Sequence, residues 1–240
     1  MGHIHMIADL HTHTIACGHG FSTVTEVMQE AADKGLSAIG LTEHGIGYPG
    51  SVSWSYFNTY RDIPREFNGV KVYCGTEANY MNLDGTLDFT LEQLSKLDIV
   101  IASCHTDCSP TGSRDEVTNM LIQGLKNPYV DILGHPDSPK YPIDVEAVVQ
   151  AAVQYHKAIE INDSSPQARP GSEPICRELL RAVKKYGALI SINSDAHYHK
   201  RLGIFDYALP LVEEAGIPET QIINTSMERL QAFLDSHHKA

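Results

Sequence analysis

Seven histidines and two acidic residues stand just past the ends of successive apolar runs: His11, His13, His19, His44, Glu77, His105, His135, Asp195 and His197. Imidazole and carboxylate are the ligands of zinc, manganese and iron, and ligands scattered along a chain converge only in a specific fold. The pattern is that of a hydrolytic site holding several metals. Two cations ~3.5 to 4 Å apart can share a hydroxide, stabilise the attacking oxygen and clamp the leaving oxygen, and a bridging carboxylate is the natural means of holding them that close. On that chemistry a hydrolysable bond would be cleaved by water activated on the metals, the cations supplying most of the charge stabilisation. No G-x-S-x-G elbow offers a serine nucleophile, and no P-loop pattern points to a nucleotide-driven kinase or ATPase.

Each of these residues also has a plainer reading, since a lone strand-end histidine is more often a hydrogen-bonded structural residue than a ligand. H-x-H alone is a weak signal: His3 and His5 share that spacing with His11 and His13 but precede the first apolar run. It is the combination with Glu77, His105, His135 and Asp195-x-His197 that makes metal binding the expectation. His156 in a helical stretch, His199 just outside the last motif, and His237 and His238 in the polar tail read as peripheral. The five cysteines are odd in number and irregularly spaced, so they read as free thiols and not as ligands.

The elements that must position these groups are legible as short apolar runs at Ile7–Leu10, Ala38–Leu41, Val70–Cys74, Asp98–Ser103, Val130–Leu133, Ala158–Ile161 and Leu189–Ile192, seven candidate parallel strands. Between them lie helix-like segments at 23–34, 54–66, 114–126, 144–156 and 173–186, with Thr23, Ser113 and Asp144 as caps and Glu26 and Glu116 at the capping-box position. The connection from Thr76 to Leu97 reads as a turn at Asn82–Gly85 between extended pieces, then a brief helix near Leu91–Leu97, and Ser226–Leu234 reads as a closing helix. Alternation of this kind predicts an α/β barrel or a doubly wound sheet. Because polar side chains from nearly every strand end must meet, a closed or nearly closed barrel is favoured, with the site at the C-terminal strand ends.

The runs Asp9-Leu-His11-Thr-His13-Thr, Leu41-Thr-Glu43-His44-Gly45, Gly75-Thr-Glu77-Ala-Asn79, Gly134-His135-Pro136 and Ser194-Asp195-Ala-His197 resemble the successive motifs of the polymerase and histidinol phosphatase (PHP) family. The likeness runs from about Met6 to Leu234 and is closest in character to stand-alone bacterial phosphatases of the YcdX type, including Asn162-Asp-Ser-Ser165 and Asn224-Thr-Ser226. The resemblance implies a distorted seven-stranded, TIM-barrel-like (β/α)7 fold and three divalent metal ions, zinc or else manganese or iron. It puts His11, His13, Glu77 and Asp195 on the first metal, lets Glu77 bridge to a second held by His105 and His135, and gives a third to His19, His44 and His197. Glu77, Asp195 and His197 are then the catalytic residues. Two positions depart from the family pattern: Glu43 where aspartate is common, and Asn193 where glycine is frequent. Neither alters an assigned ligand, but both could change the hydrogen bonds behind the ligands. Asp9, two residues before His11, should point to the same side of the strand and is a candidate to support the ligands from behind.

Composition bounds the partners. The chain has 240 residues, 42% of them hydrophobic, which suits a single domain over 6–240, residues 1–5 reading as an expression remnant ahead of Met6. With 18 basic against 30 acidic residues the formal charge is −12, so the outer surface has no footprint for long nucleic acid and a small phosphorylated metabolite is favoured. No run is long enough to span a bilayer and no signal peptide is evident, so a cytoplasmic protein without membrane contact is expected, with a homo-oligomer left open. Substrate contacts could come from Ser165, Arg169, Lys140, Lys200 or Arg201, though a surface role fits each equally, and Tyr48, Trp54 and Tyr56 either line the pocket mouth or pack. The leading reading is a metal-dependent phosphoric monoester hydrolase. A phosphodiesterase or nuclease acting on short oligonucleotides or bisphosphorylated nucleosides is the alternative. An amidohydrolase ranks below both, lacking a use for Glu77 and Asp195-x-His197, and a silent metal-binding module is disfavoured because the ligand set is whole.

Overall fold

The computed structural model describes residues 4–237 of the chain, and the side chains up to 236. His3 and His238, and the side chain of His237, lie outside the described residues. The apolar runs become β1 (Ala8–Asp9), β2 (Ala38–Leu41), β4 (Val70–Cys74), β6 (Val100–Ser103), β7 (Ile132–Leu133), β8 (Ala158–Asn162) and β9 (Leu189–Asn193), joined by β3 (Glu66–Phe67) and β5 (Thr76–Asn79). All pair in parallel except β3, which is antiparallel to β4. Most are buried along their length, which is why they read as near-continuous hydrophobic runs and not as alternating ones.

The ladder is divided into two sheets, β1-β2-β4-β3 and β5-β6-β7-β8-β9, and does not run as one continuous barrel. Gly75 makes the division. It separates β4, which pairs with β2, from β5, which pairs with β6, so one stretch of chain changes partner at a single residue. A Cβ at this position would lie 2.1 Å from the Ile99 carbonyl oxygen, so only glycine allows the neighbouring backbone so near. Isolated parallel bridges span the two seams, His44 to Glu77 on one side and Thr12 to Ala196 on the other.

The helices are α1 (Val24–Asp33), α2 (Trp54–Asn58), α3 (Leu91–Leu94), α4 (Arg114–Leu125), α5 (Val145–Gln154), α6 (Ser165–Ala168), α7 (Glu173–Tyr186), α8 (Ala208–Ala215) and α9 (Met227–His237). Capping boxes form at Thr23/Glu26 and Ser113/Glu116 as the spacing predicts, and Asp144 caps α5. The expected helix over 54–66 stops at Asn58. Asn68 and Gly69, at φ 49° and 83°, form a tight turn that folds β3 back on β4, the hairpin signal of an Asn-Gly pair. His156 lies past the end of α5 at φ 58°, outside the helix expected to hold it. The helices α6 and α8 are additions to the expected set.

Along β6 the side chains part into two cores, Val100 and Ala102 facing the helices while Ile99 and Ile101 join a second cluster with Ala8, Leu10, Ala38, Ile132 and Ala158. Leu230, Phe233 and Leu234 of α9 complete that second cluster. Since Ala8, Ala38, Ile132 and Ala158 begin their strands, α9 closes the N-terminal strand ends and leaves the C-terminal ends for the site. Packing is tight where Gly124 of α4 meets the buried Tyr80 ring, and a Cβ there would be 2.3 Å from Tyr80 Cε1. Helix propensity alone would make Gly124→Ala stabilising by ~1 kcal/mol. The overlap with a ring that cannot move should cost ~2 to 3 kcal/mol and outweigh it, so thermal melting is expected to show a lower midpoint for this variant.

Candidate metal centre

At the C-terminal strand ends, His11 and His13 follow β1, His44 follows β2, Glu77 lies in β5, and His105, His135 and the Asp195/His197 pair follow β6, β7 and β9. Glu77 is the hub. Its Oε1 is 2.7 Å from His135 Nε2 and 3.1 Å from His105 Nε2, while Oε2 is 2.6 Å from His44 Nδ1, 3.3 Å from His11 Nε2 and 3.5 Å from His13 Nε2. Asp195 Oδ1 lies 3.3 Å from His13 Nε2 and 3.7 Å from His11 Nε2. His19, less buried than the others, stacks on His197 at 4.5 Å and on His44 at 5.0 Å between ring centroids. His135 and Asp195 adopt positive φ, 27° and 55°, a conformation uncommon outside glycine and concentrated at functional sites.

Donor atoms of His11/His13/Asp195, Glu77/His105/His135 and His19/His44/His197 lie close enough within each trio to hold one ion. A test of fit comes from the buried atoms: among the described residues, Glu77 Oε2, Asp195 Oδ1, His13 Nδ1 and His197 Nε2 make no hydrogen bond of acceptable geometry, close as their neighbours are. Orphaned carboxylate oxygens and imidazole nitrogens crowded together in a water-poor place are what a cation satisfies and what a protein alone leaves costly. The sequence-expected residues thus all gather in one place, and buried Cys17, which the sequence reading sets aside, comes within reach of His13 and His197.

A model of the PHP domain matches residues 9–195. The chain belongs to the PHP family. It is 44% identical to a probable phosphatase of Caldanaerobacter subterraneus subsp. tengcongensis over 98% of this chain and 94% of that one. A probable phosphatase of Caldicellulosiruptor bescii is 44% identical over 96% of each chain. Among solved structures, a histidinol phosphate phosphatase from Lactococcus lactis, crystallised with zinc, L-histidinol and phosphate, superposes with a TM-score of 0.62 at 21% identity, covering 89% of this chain and 95% of that one. The phosphotriesterase homology protein of Escherichia coli reaches a TM-score of 0.51 at 11% identity, covering 98% of this chain and all of the other.

Behind the candidate ligands of this PHP domain lies a web that orients them. Glu160 in β8 accepts from His11 Nδ1 at 2.7 Å and Asn193 Nδ2 at 2.8 Å through Oε1, and from the His135 amide at 2.9 Å and Asn162 Nδ2 at 3.1 Å through Oε2. Donation of the Nδ1 proton to Glu160 turns the Nε2 lone pair of His11 toward Glu77 and Asp195. Asn79 does the same for His105, 2.7 Å away, and is itself fixed by Asp88. Both departures from the family pattern join this web: Asn193 holds Glu160, and Glu43 takes the Thr14 amide and hydroxyl beside His13. Asp9 also stands behind the cluster, acting through the main chain. It is buried and accepts from the Ser194 and Gly203 amides, with the His11 backbone beside it, so it anchors the loop of the last motif. Of the residues missed from sequence, Glu160 carried a signal, a charge inside the apolar run Ala-Ile-Glu-Ile-Asn.

Several outer candidates fall to their plainer readings. Trp54 packs with Phe57 and Phe89 and Lys200 pairs with Glu30, whereas Arg201, 3.4 Å from Asp163, also borders the space beside Asp195 and His197. His199 bonds Ser22 at 2.8 Å. Tyr48 stacks on His44, 4.2 Å between centroids, and Tyr56 borders Glu43. Arg169 is different: its guanidinium lies 3.6 Å from Asp195 Oδ2 and 3.5 Å from Asp137, and Nη2 has no hydrogen-bond partner.

Charge within the cluster is strongly coupled. Burial opposes ionisation of Glu77 and Asp195, but the facing histidines hold both carboxyls well below the usual range. Burial likewise opposes charge on His11 and His105, yet Glu160, Glu77 and Asp195 raise His11 well above the usual imidazole value, and Glu77 with Cys108 holds His105 at about 9. Burial lowers His44 to about 4. Ligation needs neutral imidazole, so loading the metal-free protein at pH 7 should release protons from His11 and His105, and affinity should rise with pH up to about 9. Calorimetric titration in two buffers of different ionisation enthalpy measures that release, and buffer-independent heats would exclude it. The same raised value stabilises the metal-free fold below about 6.5, where unfolded histidine is also charged, and this contribution is lost as pH rises through about 9.

Proposed function

We propose that this PHP domain is a metal-dependent phosphatase that hydrolyses small phosphate monoesters, with three divalent ions in a distorted seven-stranded (β/α)7 wall. The observation that carries the reading is Glu77, whose two oxygens each face a different set of histidines and so suit a bridge between two ions. His11, His13, Glu77 and Asp195 would hold one ion, Glu77, His105 and His135 a second, and His19, His44 and His197 a third. When bound, such ions polarise the phosphoryl oxygens, lower the pKa of water and neutralise charge as it builds. Support comes from the relatives named as probable phosphatases.

The remaining work belongs to the chain. Arg169, held by Ser165 at 3.2 Å and by Asp137, presents guanidinium N–H groups beside Asp195, where a phosphoryl oxygen would be gripped and oriented. Glu160 and Asn79 fix the tautomers of His11 and His105. Burial of Glu77 and of His11, each fully shielded from solvent, keeps water from competing for the phosphoryl group. A small metabolite is the fitting substrate for a molecule of net charge −12, and no helix among the described residues is long and apolar enough to cross a membrane, in keeping with action in the cytoplasm. The test is phosphate release by metal-reconstituted protein from sugar, amino-acid, pyridoxal and nucleotide phosphates, with metal content measured on the same sample. A fully metallated protein inert to every monoester but active on short oligonucleotides would replace this reading with a diesterase.

A further inference from the structure

Two clefts open beside the centre, and their linings differ. One, of about 250 Å³, runs past His105 and Arg169 and carries the charged side chains of Asp107 and Lys140. The other, of about 400 Å³, runs past Asp195 and His197 and is lined by Phe21, Tyr198, Ser164, Gln167 and Arg201. A volume of this order is that of a small-molecule site.

Phe21 and Tyr198 are the unusual part of this second lining. They are 78% and 46% exposed, among the most exposed large apolar side chains of the described residues. Phe21 is not adrift on its loop, because its amide donates to the His197 carbonyl at 2.8 Å, which starts the ring beside a ligand residue. Tyr198 follows His197 directly and rests on His199, 4.5 Å between centroids. Two aromatic rings held open to solvent at the rim of the cluster lose apolar hydration when an apolar surface covers them, and another ring covers them best because it adds stacking or edge-to-face contact. Gln167, Ser164 and Arg201 add hydrogen-bonding edges around the same space.

We infer that this cleft receives the leaving group of the substrate and that its occupant is a flat aromatic ring with polar edges. The inference rests on the phosphatase reading and narrows it to aryl-bearing phosphate monoesters. Continuity selects the leaving group as occupant, since Asp195 and His197 belong both to the cluster and to the cleft wall. The charged mouth of the first cleft lacks the aromatic pair.

Benzyl phosphate and n-propyl phosphate separate ring contact from leaving-group acidity, as both are esters of alcohols of similar pKa. With the full-length, metal-loaded protein, the wild type should favour the benzyl ester in kcat/KM. That preference should fall ~10-fold, about 1.4 kcal/mol, in Phe21→Ala and in Tyr198→Ala, and persist in Phe21→Trp. Calorimetric affinity for benzylphosphonate should weaken in step. The exposure of both rings makes folding failure an unimportant risk. Equal use of the two esters by the wild type, or an unchanged ratio in both alanine variants, overturns the subsite and leaves the phosphatase reading standing. Release of phosphate from neither ester by fully metallated protein that does hydrolyse other monoesters of the panel also overturns the subsite alone, whereas inertness to every monoester overturns both.

Discussion

Glu77→Ala should lower phosphate release by at least ~10³-fold, a loss of about 4 kcal/mol of barrier stabilisation, while leaving the fold largely intact. The residue touches five histidine nitrogens within 3.5 Å and is a member of neither apolar core cluster of the described residues. Its removal leaves His105 and His135 without the anion that faces them, so metal content should fall along with turnover. Mass spectrometry of the purified variant, circular dichroism and a phosphate assay test the three parts separately. Wild-type-like turnover would refute the bridging role. Glu77→Gln sharpens the point, since it preserves shape and removes charge, and the same loss is expected.

Glu160→Gln is the second large effect, and the reason lies in counting donors. All four groups around the Glu160 carboxylate are donors: His11 Nδ1, the His135 amide, Asn162 Nδ2 and Asn193 Nδ2. A carboxylate accepts from all four, whereas an amide offers one oxygen and turns N–H groups toward the other two partners. The near-isosteric change should cost ~2 to 4 kcal/mol of stability, because buried donors are left facing donors. It should also weaken metal binding ~10 to 100-fold, since His11 loses the acceptor that fixes its tautomer. Denaturant titration and a competitive chelator assay measure the two effects. If metal affinity were unchanged, the orientation of His11 would have to come from elsewhere.

The residues on the inner face were readable because they combine rare chemistry with regular placement: a histidine or acid just beyond an apolar run, repeated from β1 to β9. The strands were readable for the related reason that burial on both faces demands unbroken apolar runs. Glu160 and Asn79 escaped because a lone polar residue inside a strand has no periodic signature, and the imidazole that each one orients lies more than twenty residues away in sequence. Asp9 was legible only in part, because alternation along a strand says which side a carboxylate takes but not which amide it meets there. The partner exchange at Gly75 is likewise a matter of what passes 2.1 Å away, which only tertiary structure reveals. The hairpin at Asn68-Gly69, by contrast, was present as a local signal and was overridden by helical periodicity in the preceding segment.

The two seams between the sheets coincide with the site. Thr12 stands between His11 and His13, Ala196 between Asp195 and His197, and the other seam is bridged by His44 and Glu77 themselves. Wherever the strand ladder thins to a single bridge, candidate ligands flank it on both sides. Ions held there would act as cross-braces, fastening the circumference of the molecule at its two weakest lines. Stripping them with a chelator should therefore speed amide exchange first at His13, Gly45 and Glu77, whose amides cross these lines, while the ladder from β6 to β9 keeps its protection. On this view the atoms proposed to hold the ions also fasten the seams, so loss of the ions loosens those two lines while the strands and their cores persist.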